Sequence, residues 1–164
     1  GIENGNYFLV TLHRTENVDN FKRLKSIIGG LNLICKKYQL LIIFPIHPRT
    51  KKMIEKFKIK LNENIKLIDP MSYLEFLQLE TNAKLVLTDS GGVQEETCIL
   101  NVPCVTLRDN TERPETIEVG SNILAECNQD IIINKTELML NKDKKWKNPF
   151  GDGNAAKKII NILQ

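Results

Sequence analysis

The stretch Lys84-Leu85-Val86-Leu87-Thr88-Asp89-Ser90-Gly91-Gly92-Val93-Gln94-Glu95-Glu96 decides how the rest of the chain is read. It opens as a short apolar run, the mark of a strand buried on both faces. The run breaks at Asp89-Ser90-Gly91-Gly92 and resumes from Val93 to Leu100, with helix-forming residues and acids in the first turn. A strand, a Ser-Gly-Gly turn and a helix together aim free backbone N–H groups at an anion. The two glycines let the main chain approach closely, and the helix start adds partial positive charge. A phosphate suits that arrangement. A Gly-Gly pair after a strand is as readily a plain tight turn, so the ends of the other strands have to decide.

Upstream, Tyr7-Phe8-Leu9-Val10-Thr11-Leu12 reads as a strand that ends at His13-Arg14. Asn17 to Asn20 reads as a polar loop, and apolar residues at Leu24, Ile27, Ile28, Leu31, Ile34 and Cys35 predict a helix over 21–38. Leu40 to Pro45 is a second buried strand, stopping at Ile46-His47-Pro48-Arg49 before a short helix over 51–57. Both histidines of the chain therefore fall at strand ends, where open α/β sheets bind ligands. Each is followed closely by an Arg, whose planar fork matches phosphate or carboxylate. No helix carries paired His or carboxylate ligands at metal spacing, so no metal site is expected.

Ile65 to Ile68 is a third strand; Ser72 and Glu75 form a capping box for a helix over 73–80, whose Tyr73, Phe76, Leu77 and Leu79 are expected in the core. Beyond the Ser-Gly-Gly turn, Asn101 to Leu107 is a fifth strand. It empties into Arg108-Asp109-Asn110-Thr111-Glu112-Arg113-Pro114-Glu115, the most polar stretch of the chain. Pro114 suits the first turn of a helix, which leaves Arg113 placed to clamp a phosphate. A sixth strand over 122–125, a helix over 131–140 and a terminal helix over 155–163 complete the pattern. Strands and helices alternate without repeats, which reads as one α/β Rossmann-like domain over 1–164, a doubly wound parallel sheet of about six strands. The absence of G-x-G-x-x-G argues against a dinucleotide.

The 164 residues suit a single core, and a net charge of +3 with scattered Lys and Arg gives no footprint for nucleic acid. The apolar runs are too short to span a membrane. Cys35, Cys98, Cys104 and Cys127 show no Cys-x-x-Cys spacing and read as free thiols in a reducing compartment, hence a cytoplasmic protein. The chain starts Gly1-Ile2-Glu3 without Met and runs almost at once into a strand, so we expect a domain of a longer protein.

These residues also carry a resemblance. Thr11-Leu12-His13-Arg14-Thr15-Glu16-Asn17, His47-Pro48, Leu87 to Glu96, Arg108 to Glu115 and Asn148-Pro149-Phe150-Gly151-Asp152-Gly153 occur in this order. Together the sequence resembles the C-terminal half of the non-hydrolysing UDP-N-acetylglucosamine 2-epimerases. The resemblance implies a GT-B-like enzyme of two Rossmann-like domains, a homodimer when full-length, that needs no cofactor. It would interconvert UDP-N-acetylglucosamine and UDP-N-acetylmannosamine by eliminating UDP and adding it back. By the same resemblance, His13, Ser90, Gly91, Gly92 and Arg113 would hold the diphosphate and Glu96 the ribose hydroxyls. Met71 and the ring of Phe76 would frame the uracil. Arg14 and His47 would face a second, regulatory UDP-N-acetylglucosamine, and the acid/base carboxylates would come from the N-terminal domain. Two other readings share the same features: the C-terminal donor-binding domain of a GT-B glycosyltransferase, and a non-catalytic nucleotide-sugar sensor.

Overall fold

A computed structural model of the chain describes residues 5–163. Six strands, β1 (Tyr7–Thr11), β2 (Leu41–Pro45), β3 (Ile65–Ile68), β4 (Leu85–Thr88), β5 (Cys104–Thr106) and β6 (Asn122–Leu124), pair in parallel in the order β3-β2-β1-β4-β5-β6. The helices α1 (Thr15–Val18), α2 (Phe21–Tyr38), α3 (Pro48–Lys56), α4 (Tyr73–Thr81), α5 (Gly91–Ile99), α6 (Pro114–Glu118) and α7 (Gln129–Leu140) connect or follow them, and α8 (Ala155–Leu163) ends the chain. The strand order reverses between β1 and β4, where Val10 pairs with Leu87 and Thr11 with Thr88. Loops leaving two strands in opposite directions open a crevice at their carboxyl ends. The fold thus confirms the doubly wound sheet.

The core explains why the apolar runs became strands. Phe8, Leu9, Val10, Ile42, Phe44, Leu85, Val86 and Leu87 are fully or almost fully buried, because helices cover both faces of the sheet. On one face, Leu24, Ile27, Ile28, Leu31, Ile34 and Cys35 of α2 all pack into the larger cluster, as their spacing predicts. Asn20 caps α2 by accepting the N–H groups of Lys22 and Arg23. Cys35, Cys98, Cys104 and Cys127 are free thiols.

Several boundaries move, each for a physical reason. Helix α3 starts at Pro48 rather than 51, because the His47 ring accepts the Arg49 N–H and Pro suits the first turn. Helix α7 starts at Gln129, where Asn128 caps Asp130 and Ile131. Only Cys104–Thr106 of the expected fifth strand joins the ladder. The segment over 17–20 is not a solvated loop: α1 occupies Thr15–Val18, and Asn17 is buried. Helix α4 departs furthest from expectation. Its capping box forms, the Glu75 carboxylate accepting both the N–H and the hydroxyl of Ser72. Yet Tyr73 and Leu74 are exposed, Phe76, Leu77 and Leu79 are half-buried, and the one fully buried residue is Glu80.

One buried acid ties β1 to β4 at the rim. Asp89, with no exposed surface, accepts the backbone N–H of His13 at 3.1 Å and of Arg14 at 2.9 Å, and the side-chain amide of Asn17 at 3.2 Å. Asn17 in turn donates to the Leu107 carbonyl at 2.9 Å, so the ends of β1, β4 and β5 share one network. Buried carboxylates persist only when so supplied with donors. Asp89→Asn would turn an amide NH2 toward N–H donors, and we expect a stability loss of about 1–3 kcal/mol in urea denaturation at unchanged m. A loss below about 0.5 kcal/mol, the range of a neutral surface change, would show that this carboxylate does not hold the rim together.

Candidate functional site

The rim at the carboxyl ends of β1 and β4 gathers most of the polar residues singled out above. Ser90 precedes α5 in extended conformation, and Gly91 and Gly92 lie inside the first helical turn rather than before the helix. The first-turn N–H groups have no intrahelical partner, and the helix start is electropositive. The Ser90 N–H is taken by the Thr88 hydroxyl at 2.9 Å, and the Ser90 side chain makes no cap bond. Its hydroxyl, rather than its backbone, is therefore the group left to meet a ligand.

Neither glycine is demanded by the fold. A Cβ built on Gly91 would meet nothing nearer than Glu112 Oε2 at 3.7 Å, and one on Gly92 nothing nearer than the Ser90 hydroxyl at 4.0 Å. Neither has positive φ. Glycine in a helix costs about 1 kcal/mol against alanine, so these two leave open space at a cost in stability. That space lies directly over the helix start.

His13 follows β1, and its Nδ1 stands 3.3 Å from Asp89 Oδ1 while the ring remains half-exposed. Arg113 stands just before α6 and pairs with Glu95 on α5. The loop that carries it packs on the start of α5, where the Thr111 hydroxyl bonds Gln94 Oε1 at 2.5 Å. That loop is stiffened by Arg108, which is almost fully buried and reaches Glu112 at 2.6 Å, Glu16 at 3.1 Å and Asn110 at 3.1 Å. The Arg108 hydrogen bond holds the Glu112 carboxyl well below the usual carboxylate range, at about 2. His13, the Ser90 turn and Arg113 thus stand on one rim.

A small cavity of about 210 Å³ next to His13 is lined by Leu12, His47, Pro70, Met71 and Phe76. The structure therefore joins His13 to the two residues expected around a base. It also puts His47 in that same cavity rather than in a separate one. The Arg14 guanidinium turns the other way, toward Glu112 at 4.0 Å. Arg14 and His47 flank His13 without meeting. Glu96 sits on α5 against α4, where its carboxyl meets the carboxyl of Glu80 and the hydroxyl of Tyr73. Burial raises both Glu80 and Glu96 from their ordinary values, Glu80 to about 9. A larger cavity of about 690 Å³, lined by Phe21, Lys25, Phe57 and Lys58 among others, touches none of these residues.

Residue patterns missed four supports of this site. Asp89 and Thr88 lie within the motif that opens the reading, yet only burial shows that they hold His13 and Ser90. Asn17 passed as a loop residue. Arg108 passed as one charge among many in a polar stretch, although a basic residue directly after a buried strand was an available signal.

Comparison with known proteins identifies the family. The family model described as UDP-N-acetylglucosamine 2-epimerase matches residues 1–164. A UDP-N-acetylglucosamine 2-epimerase of Methanocaldococcus jannaschii is 60% identical over 161 residues, which are 96% of this chain and 44% of that protein. The crystal structure of the M. jannaschii UDP-GlcNAc 2-epimerase in complex with UDP-GlcNAc and UDP superposes with a TM-score of 0.89 at 60% identity, covering 96% of this chain and 44% of that one. An Escherichia coli heptosyltransferase, WaaC, solved with ADP, shares the fold alone, with a TM-score of 0.61 at 14% identity over 84% of this chain and 45% of that one. The chain thus spans less than half the length of the curated relatives it matches, with their Rossmann-like, GT-B-like fold, and it belongs to the UDP-N-acetylglucosamine 2-epimerase family.

Proposed function

We propose that these residues form the UDP-binding domain of an enzyme that interconverts UDP-N-acetylglucosamine and UDP-N-acetylmannosamine. The observation that carries this reading is the convergence of the Ser90 turn, His13 and Arg113 over the open start of α5. Elimination of UDP from the sugar needs stabilisation of a departing diphosphate that must be kept for its return. The first-turn N–H groups of α5 and the Ser90 hydroxyl would bind its oxygens, Arg113 would supply charge, and His13, steadied by Asp89, would donate a hydrogen bond. Arg113 would exchange or share its Glu95 partner in doing so. Met71 and Phe76 would enclose the uracil in the cavity beside His13, and Glu96 would accept the ribose hydroxyls. The acid/base carboxylates at C2 would come from the remainder of the enzyme, as would the second subunit contacts of a homodimer. The position of Arg14 and His47 on either side of His13 fits a second nucleotide-sugar molecule bound beside the first.

The chain alone has a limited set of donors. A few neutral hydrogen bonds at about 1 kcal/mol and charge-assisted ones at about 1.5–3 must offset an association cost of at least about 4 kcal/mol. We expect it to bind UDP on the order of millimolar and to show no epimerase turnover. NMR titration with UDP should move Ser90, Gly91 and Arg113 first, and turnover by the purified chain would refute this division of labour. The glycines give a sharper test. Gly92→Ala should leave stability unchanged or raise it by about 0.5–1 kcal/mol while weakening UDP binding by about tenfold or more, the worth of one charge-assisted bond. Loss of stability with intact UDP binding would mean that the turn serves the fold instead.

A further inference from the structure

Glu80 is out of place by every ordinary rule. It is the one fully buried residue of α4, on a helix whose tyrosine and first leucine face solvent. Neither of its carboxyl oxygens receives a hydrogen bond from a donor among the described residues. Lys and Arg pair with neither Glu80 nor Glu96 in any ion pair among those residues. What Glu80 meets is the carboxyl of Glu96, across the packing of α4 on α5. A fully buried carboxylate held against a second, partly buried one, with no cation between them, is repelled strongly, and the two do not both ionise. A shared proton turns the same contact into a charge-assisted hydrogen bond.

We propose that Glu80 is a positioning residue for the ribose site: it keeps its proton and donates a hydrogen bond to Glu96, which fixes the Glu96 carboxylate with its free oxygen toward the ribose hydroxyls. This rests on reading Glu96 as the ribose acceptor. The Tyr73 hydroxyl is a second donor to Glu96 from the exposed side of the same helix. Donors on two sides leave a carboxylate with one direction in which to accept from a ligand. A ribose hydroxyl, being a donor, fits that direction.

The other titratable groups facing the pair do not compete for the proton between neutral pH and pH 9. Cys104 on β5, fully buried, has its thiol pushed up to about 12. The Tyr73 hydroxyl is raised above its ordinary value, mainly by the Glu96 charge. Glu95 on α5 pairs with Arg113, and its charge raises Glu96 further. Glu80 itself, raised by burial and then by the charge of Glu96, holds its proton to about pH 9. In the folded state its value lies above the ordinary 4.5, so the fold is stabilised relative to the unfolded chain at low pH and loses that contribution as pH rises from about 4.5 through about 9.

The test compares UDP with 2′,3′-dideoxy-UDP, which keeps the base and diphosphate and lacks the ribose hydroxyls. NMR titrations of wild type, Glu80→Gln, Glu80→Leu and Glu96→Gln give both affinities. The ratio of the two cancels any change in the diphosphate grip and any titration of the ligand. Wild type is expected to prefer UDP by about tenfold at pH 7. Glu80→Gln, an isostere with a permanent N–H donor, should keep that preference. Glu80→Leu should reduce it to about threefold or less with unchanged dideoxy-UDP affinity. Above pH 9 the preference should fall in wild type and persist in Glu80→Gln, and the decline of wild-type stability with pH should flatten in that variant. Should Glu80→Leu fail to fold, the Gln variant and the pH series still decide. The proposal is overturned if Glu80→Leu keeps the full preference, if Glu80→Gln loses it, or if the pH series of the two proteins coincide. A wild type that does not discriminate UDP from its dideoxy analogue, or a Glu96→Gln that discriminates as well as wild type, overturns the ribose assignment of Glu96 itself, and the Glu80 proposal with it.

Discussion

A carboxylate without contact with water, Asp89, is the constraint on which the rest of the rim depends. It directly follows β4, and three donors reach it from the segment that follows β1. Such a group is costly to bury unless its lone pairs are filled. The structure fills them with two backbone N–H groups and one amide, and those bonds fix the path of the chain through His13 and Arg14. Asn17 then passes the constraint to β5 through the Leu107 carbonyl. Three loops that would otherwise be free to wander at the mouth of a parallel sheet are held by one side chain and its neighbour. His13 inherits its orientation from this network, with its ring beside the acid and its other edge free.

Charge at the rim is arranged in the same manner, with supports buried and the groups proposed to meet a ligand exposed. Arg108 is sunk beneath the surface and engaged by Glu16, Glu112 and Asn110, so its part is to hold a loop in shape. Arg113, five residues on, remains half-exposed at the mouth of the crevice beside the start of α5. A guanidinium held by a single carboxylate at the surface gives up little by turning to a diphosphate, because exposed ion pairs are worth about 0–1 kcal/mol. The same asymmetry separates Glu80 from Glu96: one carboxyl is buried, and the other is partly accessible.

Much of the fold could be read from residue order because each strand announces itself as a buried apolar run and α2 as a 3.6-residue stripe. The turn proposed to bind phosphate was legible for the same reason, as Gly91 and Gly92 stand where a strand gives way to a helix. Helix α4 was misread. Apolar spacing puts its Tyr73, Phe76, Leu77 and Leu79 in the core, whereas Tyr73 faces solvent, the other three are half-buried and Glu80 is the residue fully inside. No periodicity argument ranks a glutamate above a leucine for burial. Likewise the spacing of Asn17 gave no hint that it would bridge two strand ends 72 and 90 residues away in sequence.

What the sequence by itself determined is local: where strands and helices fall, which residues stand at strand ends, and hence that His13, Ser90 and Arg113 share one side of the sheet. Those follow from short-range sterics, apolar patterning and the parallel topology that alternation imposes. Only the tertiary structure decided which of the polar residues are buried supports and which stand exposed, that His47 joins His13, Met71 and Phe76 in one cavity, and that two glutamates on different helices meet. Those depend on burial and on distances between segments remote in the chain. An acid in water and the same acid in a core are identical in sequence and opposite in chemistry.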